Sequence, residues 1–280
     1  MPLPTAQELF DAGVHIGHQV RRWNPRFRKY LYAHRHGISI IDLEKTLAQL
    51  ERACDYAEHL VAGGQSIWLI GTKPQAKDIV REAAAETGMP FSVVRWLGGT
   101  LTNFNTIYQG LEKYRRFLEM EQSGEIEKMP NKEGAALRRK MQRMKANFEG
   151  LTAIGEPPAA LFVVDLGNED IAAREAKRTG VPVIAIVDSN SNPDCADFPI
   201  PGNDDSVRSI KAIVDAMVAA ILRGVEAREL SRANKLPPMA IGAQQDLEAE
   251  KSSVTLSEQA QRAFAEMDDG VDSAKEKEEV

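Results

Sequence analysis

Two cysteines, Cys54 and Cys195, are all that the 280 residues contain. A pair so far apart supports neither a disulfide framework nor a four-thiolate zinc site, and it points to a reducing compartment. Long apolar runs are missing as well. Stretches such as Val183 to Val187 are far too short to cross a bilayer. The opening MPLPTAQELF has neither the basic start nor the apolar core of a secretory signal, so the expected location is the cytoplasm. No histidine follows His59, and Cys195 has no base identifiable from the sequence, so no Ser/His/Asp or Cys/His arrangement is legible. The glycine signatures G-x-G-x-x-G and G-x-x-x-x-G-K-[ST] are absent too.

Basic charge is scarce overall, with 35 Lys and Arg against 41 Asp and Glu, a net charge of −6. Its placement is uneven. Residues 1–150 hold 22 cations against 17 acids, whereas residues 151–280 hold 13 against 24. The stretch RRWNPRFRKYLYAHRH (21–36) carries Arg21, Arg22, Arg26, Arg28, Lys29 and Arg35 without one acidic residue. Trp23, Phe27, Tyr30 and Tyr32 are interleaved with them, and one or two of those rings are expected in the core. A basic, aromatic, Pro-interrupted ribbon on an acidic protein predicts a local contact with a polyanion. Guanidinium groups pair with phosphate oxygens, and exposed rings stack on unpaired bases.

The rest of the chain reads as α/β. Thr5 to Glu8 fits a capping box before a short helix. Leu43 to Val61 has helical spacing and is closed by Gly63-Gly64. SIWLIGT (66–72), FSVVRW (91–96), ALFVVDL (160–166), VPVIAIVD (181–188) and FPIPG (198–202) predict five strands. Helices separate them, including one from a second capping box at Thr72 to Gln75, one over 168–179, and one from Val207 ending near Gly224. Near-continuous apolar strands alternating with helices predict a doubly wound parallel sheet of about five strands. Ile107, Leu111, Tyr114 and Leu118, then Leu137, Met141, Met144 and Phe148, step by four, three and four around a polar turn. That pattern predicts an antiparallel coiled-coil hairpin whose second arm carries Arg138, Arg139, Lys140, Arg143 and Lys145. The expected organisation is an α/β domain built from 1–101 and 151–228, a hairpin over 102–150, and an acidic, disordered tail over 229–280.

Three motifs carry competing readings. The turn GTKPQAK has one glycine, and Lys73 and Pro74 obstruct close backbone approach to a pyrophosphate, which favours an ordinary βα turn. In WLGGTLTN (96–103), Gly98 and Gly99 either expose N–H groups to a phosphate or merely let the chain turn into the hairpin, and the residues leave both open. Asp204 and Asp205 in PGNDDS suit the start of a helix. His15 and His18, with Asp188 and Asp194, have zinc-ligating chemistry, but a spacing of three alone commits to no metal.

GVHIGHQVRRWNPRFRKYLYAHRHGISIIDLEKT closely resembles the N-terminal signature of the bacterial small-subunit ribosomal protein S2 family. The resemblance continues in order through RWLGGTLTNF (95–104), ALFVVDL, VPVIAIVDSNSNPD and IPGNDDSVRSI (200–210), across about 225 residues. It implies a Rossmann-like or flavodoxin-like domain with a helical hairpin, no catalysis, no cofactor and no small-molecule substrate. It further implies a structural place in the small subunit, contact with small-subunit rRNA, and docking of ribosomal protein S1. Carried onto this chain, the rRNA contacts fall on His18, Arg21, Arg22, Trp23, Asn24, Arg26, Arg28 and Lys29. Lys73, Arg95, Trp96, Thr102 and Asn103 are implied further contacts. The acidic tail is not covered by the resemblance. A nucleotide-dependent enzyme using the α/β domain is the alternative, and it lacks a phosphate loop.

Overall fold

The computed structural model describes residues 3–152 and 154–235. The chain divides into two units, Met1–Arg228 and Glu229–Val280, and the architecture below is that of the first. The expected acidic tail lies almost wholly outside the described residues.

Thr5 opens α1 (Ala6–Asp11) with the capping box read from the sequence. Its hydroxyl accepts from the Glu8 N–H, and the Glu8 carboxylate accepts from the Thr5 N–H. The chain enters β1 (Ile16–Gln19), crosses the basic ribbon in two 3-10 turns (Val20–Arg22 and Pro25–Tyr30), and returns as β2 (Leu31–Arg35) and β3 (Ile38–Ile41). These strands form a small antiparallel sheet in the order β1-β3-β2, which the five-strand expectation lacked. Its hairpin turns through His36 and Gly37, both at positive φ (50° and 77°). Two consecutive left-handed residues are the geometry of a tight hairpin turn, and a His in the position favoured by Asn masked it.

α2 (Leu43–Ala62) follows, and then the large sheet: β4 (Ile67–Ile70), α3 (Pro74–Thr87), β5 (Phe91–Ser92), β6 (Ala160–Val164), α7 (Asp170–Thr179), β7 (Val183–Val187) and β8 (Phe198–Pro201). All its pairings are parallel, in the order β5-β4-β6-β7-β8. FSVVRW shrinks to two paired residues because the chain turns at once, with the Ser92 hydroxyl donating to the Arg95 carbonyl (3.2 Å). The Thr72 capping box does not form. Pro74 starts α3 by itself, Lys73 occupies the cap position without a side-chain bond, and Thr72 reaches across to Glu169.

Alternate residues of the buried strands face two cores. Ile67, Leu69, Phe162, Val164, Ile184, Ile186 and Ile200 pack with α2, α3 and α8 (Val207–Lys235). Trp68, Ile70, Leu161, Val163, Ala185 and Val187 pack with α7, with Phe27 and Tyr30 of the ribbon, and with Tyr114 and Phe148. That second core matters for function, because it anchors both the ribbon and the base of the helical insertion.

The insertion consists of α4 (Phe104–Gln122), a short α5 (Glu125–Lys128) and α6 (Asn131–Phe148). Phe148 lies over Gly110, and Lys140 sits over the Phe117 ring, so the two long helices run antiparallel. The Arg115 guanidinium ties α4 to the exit segment by donating to the carbonyls of Thr152 (2.8 Å) and Ile154 (2.6 Å).

The last helix continues past Gly224 to Lys235 rather than ending there. Gly224 is a contact point: a Cβ there would lie 2.7 Å from the Glu58 carbonyl oxygen and 2.9 Å from the Val61 Cβ on α2. Backbone sits on both sides of that contact, so it cannot yield cheaply. Gly224→Ala is expected to lower stability by about 2 kcal/mol, read as a fall in the urea midpoint; an unchanged midpoint would show that the helices separate freely.

Candidate nucleic-acid interface

The basic ribbon is fastened from beneath. Phe27 is fully buried and Tyr30 nearly so, their rings meeting edge-on at 5.6 Å. The loop after β7 supplies the remaining fixings. Ser189 Oγ accepts from the His18 N–H (2.8 Å), and the Ser189 carbonyl accepts from the Asn24 N–H (2.8 Å). Asn24 in turn caps the second 3-10 turn, its side chain accepting from the Arg26 N–H (3.0 Å). Asp194 takes the Lys29 ammonium at 3.0 Å and stands 3.9 Å from Arg26. DSNSNPDC is thus the dock for the ribbon, a role that only tertiary proximity reveals.

With the rings tucked in, the cations face out. Arg21, Arg22, Arg26 and Arg28 are exposed, and Arg22, Arg28 and Arg35 make no ion pair or side-chain hydrogen bond among the described residues. Arg21 donates only to the Gln19 side-chain oxygen, at 2.7 Å. Lys29 is less available, because the Asp194 carboxylate raises its pKa and holds its charge locally. Trp23 is half-buried, edge-on to His34 at 5.4 Å, with its indole N–H unpartnered. Tyr32 is 70% exposed and is the ring most open to stacking.

The further contacts implied by the resemblance separate into two kinds. Arg95, Thr102 and Asn103 are exposed. Trp96 is 6% exposed, so its ring belongs to the core. The loop that carries it is organised by Glu175 on α7, whose carboxylate accepts from the N–H groups of Gly99 (2.7 Å), Leu101 (3.0 Å) and Thr102 (3.3 Å) and from the Trp96 indole (3.4 Å). Of the two glycine N–H groups that left a phosphate cradle open in the sequence, that of Gly99 is therefore already given to a carboxylate. Burial pushes the Glu175 carboxyl up, but these four donors outweigh it and hold the group below the usual range.

Lys73 lies inside rather than outside. Strand order reverses between β4 and β6, the place where open α/β sheets bind ligands. Here Lys73 fills that crevice with its ammonium 3.2 Å from Asp165, 2.8 Å from Asp204 and 2.6 Å from Asp205. Burial alone would lower its pKa, but Asp204 and Asp205 raise it further than burial lowers it. Asn168 donates to Thr72 Oγ1 (2.8 Å), closing the same crevice from its other side. Asp165 sits at a left-handed φ of 67°, a strain consistent with a crowded, over-determined junction.

His18 belongs to the same cluster. Its Nδ1 is 3.0 Å from Asp188 Oδ2 and its Nε2 is 3.3 Å from Asp205 Oδ2, and the neighbouring Asp188 raises its pKa. Asp204 is 1% exposed and far more than a helix-start charge. Burial, followed by the charges of Asp165 and Asp188, pushes its carboxyl up to about 7 against the opposing pull of Lys73. Of the four candidate metal ligands, the fold joins His18 to Asp188 and sends the others elsewhere. His15 stacks on Phe10 at 4.2 Å, and Asp194 serves the ribbon.

The architecture is a parallel α/β scaffold whose switch-point crevice is filled by its own ion pairs and whose exposed arginines ride on a docked surface ribbon. The chain belongs to the ribosomal protein S2 family, whose model matches residues 9–224. The small ribosomal subunit protein uS2 of Opitutus terrae is 52% identical over 229 residues, covering 82% of this chain and 76% of that protein. The uS2 protein of Coprothermobacter proteolyticus is 44% identical over 229 residues, covering 82% and 85%. That of Thermus thermophilus is 46% identical over 219 residues, covering 78% and 86%. The family is one of structural ribosomal proteins, not of enzymes, and among the described residues no helix is long and apolar enough to cross a membrane.

Proposed function

We propose that this chain acts in the small ribosomal subunit by clamping small-subunit rRNA with the ribbon Arg21 to Lys29. The observation that supports this most is the division of labour within the ribbon. Phe27 and Tyr30 are sunk in the core, while Arg21, Arg22, Arg26 and Arg28 are left outside on short 3-10 turns. A cation held on a rigid support loses little freedom when it meets a phosphate. Counterion release then supplies affinity, and the exposed Tyr32 ring and Asn24 help set orientation. Arg95, Thr102 and Asn103 extend this face toward the base of the helical insertion. His18, Lys73 and Trp96 act from within, by fixing the surfaces that make contact.

The domain organisation follows the same logic. Residues 1–101 and 151–228 form the rRNA-binding domain, and 102–150 form a coiled-coil hairpin that extends its reach. On that hairpin Lys113 stands beside Lys140 and lowers its pKa. Like charges held together on an exposed surface favour a polyanion across them. Docking of ribosomal protein S1 is assigned to the small antiparallel sheet. Phe10, Ile16 and Ile38, on or beside it, are exposed large hydrophobic residues.

Binding of the full chain to small subunits lacking this protein, followed over a salt series, tests the ribbon. Affinity is expected to fall steeply with salt, and Arg26→Ala to reduce the log–log slope by about one unit or less. A flat salt dependence would remove the phosphate contacts from the reading.

A further inference from the structure

We propose that His18, Asp188 and Asp204, brought together from β1, the end of β7 and the entry to α8, form a binding site for one divalent cation of the zinc class. The inference is independent of the rRNA reading. Each of these residues offers one ligand atom, and the three atoms all lie within 4.8 Å of one another. Ligand atoms bound tetrahedrally at about 2.0–2.2 Å stand roughly 3.5 Å apart. His18 Nδ1 and Asp188 Oδ2, at 3.0 Å, are already within that spacing, and the Asp204 oxygen lies within 4.8 Å of both.

Two orphaned oxygens point to an ion. Asp204 Oδ2 and Asp188 Oδ2 are both buried and lack a hydrogen-bond partner among the described residues, the nearest group to Asp188 Oδ2 being the His18 ring nitrogen at 3.0 Å. The partner oxygens are satisfied. Asp204 Oδ1 takes the Lys73 ammonium at 2.8 Å, and Asp188 Oδ1 accepts from the Ser189 N–H. Each carboxylate is therefore oriented by one oxygen and left with a lone pair on the other, the arrangement that outer contacts give to metal ligands. Charge argues the same way. Asp165, Asp188, Asp204 and Asp205 converge around the Lys73 ammonium and the His18 ring, with four carboxylates against one paired lysine. A mixed imidazole and carboxylate set favours zinc-class ions over magnesium or calcium, which prefer all-oxygen cages.

Such an ion would join segments 186 residues apart in the chain, counted from His18 to Asp204. His18 lies three residues before Arg21, so the ion would lock the root of the basic ribbon onto the strand ends. The competing explanation is a proton on Asp204, which would quiet the repulsion without any metal.

The test uses the untagged full chain, stripped with EDTA, dialysed, and titrated with zinc chloride by calorimetry, with bound metal counted by mass spectrometry. About one zinc per chain is expected, together with a rise in Tm on zinc addition and no comparable binding of magnesium at equal concentration. Asp204→Asn and His18→Gln are each expected to weaken zinc binding by about 100-fold or more and to abolish the Tm rise. Circular dichroism establishes that each variant is folded, and either one suffices if the other is not. Absence of stoichiometric zinc at micromolar concentrations would overturn the proposal. So would folded variants that bind as the parent does, or an Asp204→Asn chain that gains in the metal-free state the stability zinc was to supply, which would assign the site to a proton.

Discussion

Replacing Arg21, Arg22, Arg26 and Arg28 together with Ala is expected to lower affinity for small subunits lacking this protein by about a thousandfold at roughly 0.15 M salt. Each phosphate neutralised contributes about 0.7 log unit through counterion release at that ionic strength, and four such contacts give close to three. The four guanidinium groups are on the surface, so the fold itself should be spared. The Tm of the variant should move by no more than a degree or two. Phe27→Ala makes the informative contrast. It removes a fully buried ring and is expected to cost about 3–5 kcal/mol of stability, and it keeps every cation of the ribbon while removing the anchor beneath them. A quadruple variant that binds within a few-fold of the parent would show that affinity comes from elsewhere, with the hairpin cations the first alternative.

The second large effect is expected at Glu175, which sits among Arg174, Lys177 and Arg178 and reads in the sequence as one more surface charge. Its carboxylate receives three backbone N–H groups and one indole N–H, and Leu101 and Trp96 among those donors are buried. Glu175→Ala would strand these donors, and each buried unsatisfied group costs about 1–3 kcal/mol. A total loss of about 3 kcal/mol or more is expected by chemical denaturation, with Glu175→Gln recovering part of it. The pH sign is fixed by the direction of the shift. The folded carboxyl titrates below its unfolded range, so its contribution is present above about pH 4.3 and fades as the pH falls through the folded value. The stability gap between parent and Glu175→Ala should therefore narrow on acidification below about pH 4. A gap that is constant, or that widens, would mean that the carboxylate does not carry the loop.

The contrast between these two sites shows what the sequence can and cannot tell. The ribbon was legible because its signal is local: clustered cations, interleaved rings and a proline lie in one window. The large sheet was legible for a related reason, since five apolar runs separated by helical periods need no long-range information. The small sheet was missed because β1 and β2 are short and carry polar residues, and because its turn uses His36 where Asn is the familiar signal. Gly224 read as a helix end because a glycine that lets two backbones approach looks the same in sequence as one that stops a helix. Glu175, Asp204 and the Ser189 dock were illegible for a deeper reason. Their meaning lies in partners 74, 131 and 171 residues away, respectively Leu101, Lys73 and His18. A buried acid inside a polar stretch gives no periodic sign of its burial.

The same comparison explains the implied contacts that turned inward. Trp96 lies in RWLGGTLTNF, one of the stretches that carry the resemblance, and Lys73 lies in GTKPQAK, which is not one of them. Lys73 is held in ion pairs with three aspartates and Trp96 is buried, features of packing that a local reading of the residues does not contain.

The most direct measurement is a cryo-EM reconstruction of small subunits carrying this chain, at a resolution that places arginine side chains. Guanidinium groups of Arg21, Arg22, Arg26 and Arg28 should be found about 3 Å from phosphate oxygens, with Phe27 and Tyr30 still beneath them in the protein. Side chains directed into solvent, or rRNA seated on another face while the ribbon stays bare, would contradict the proposed role of the ribbon.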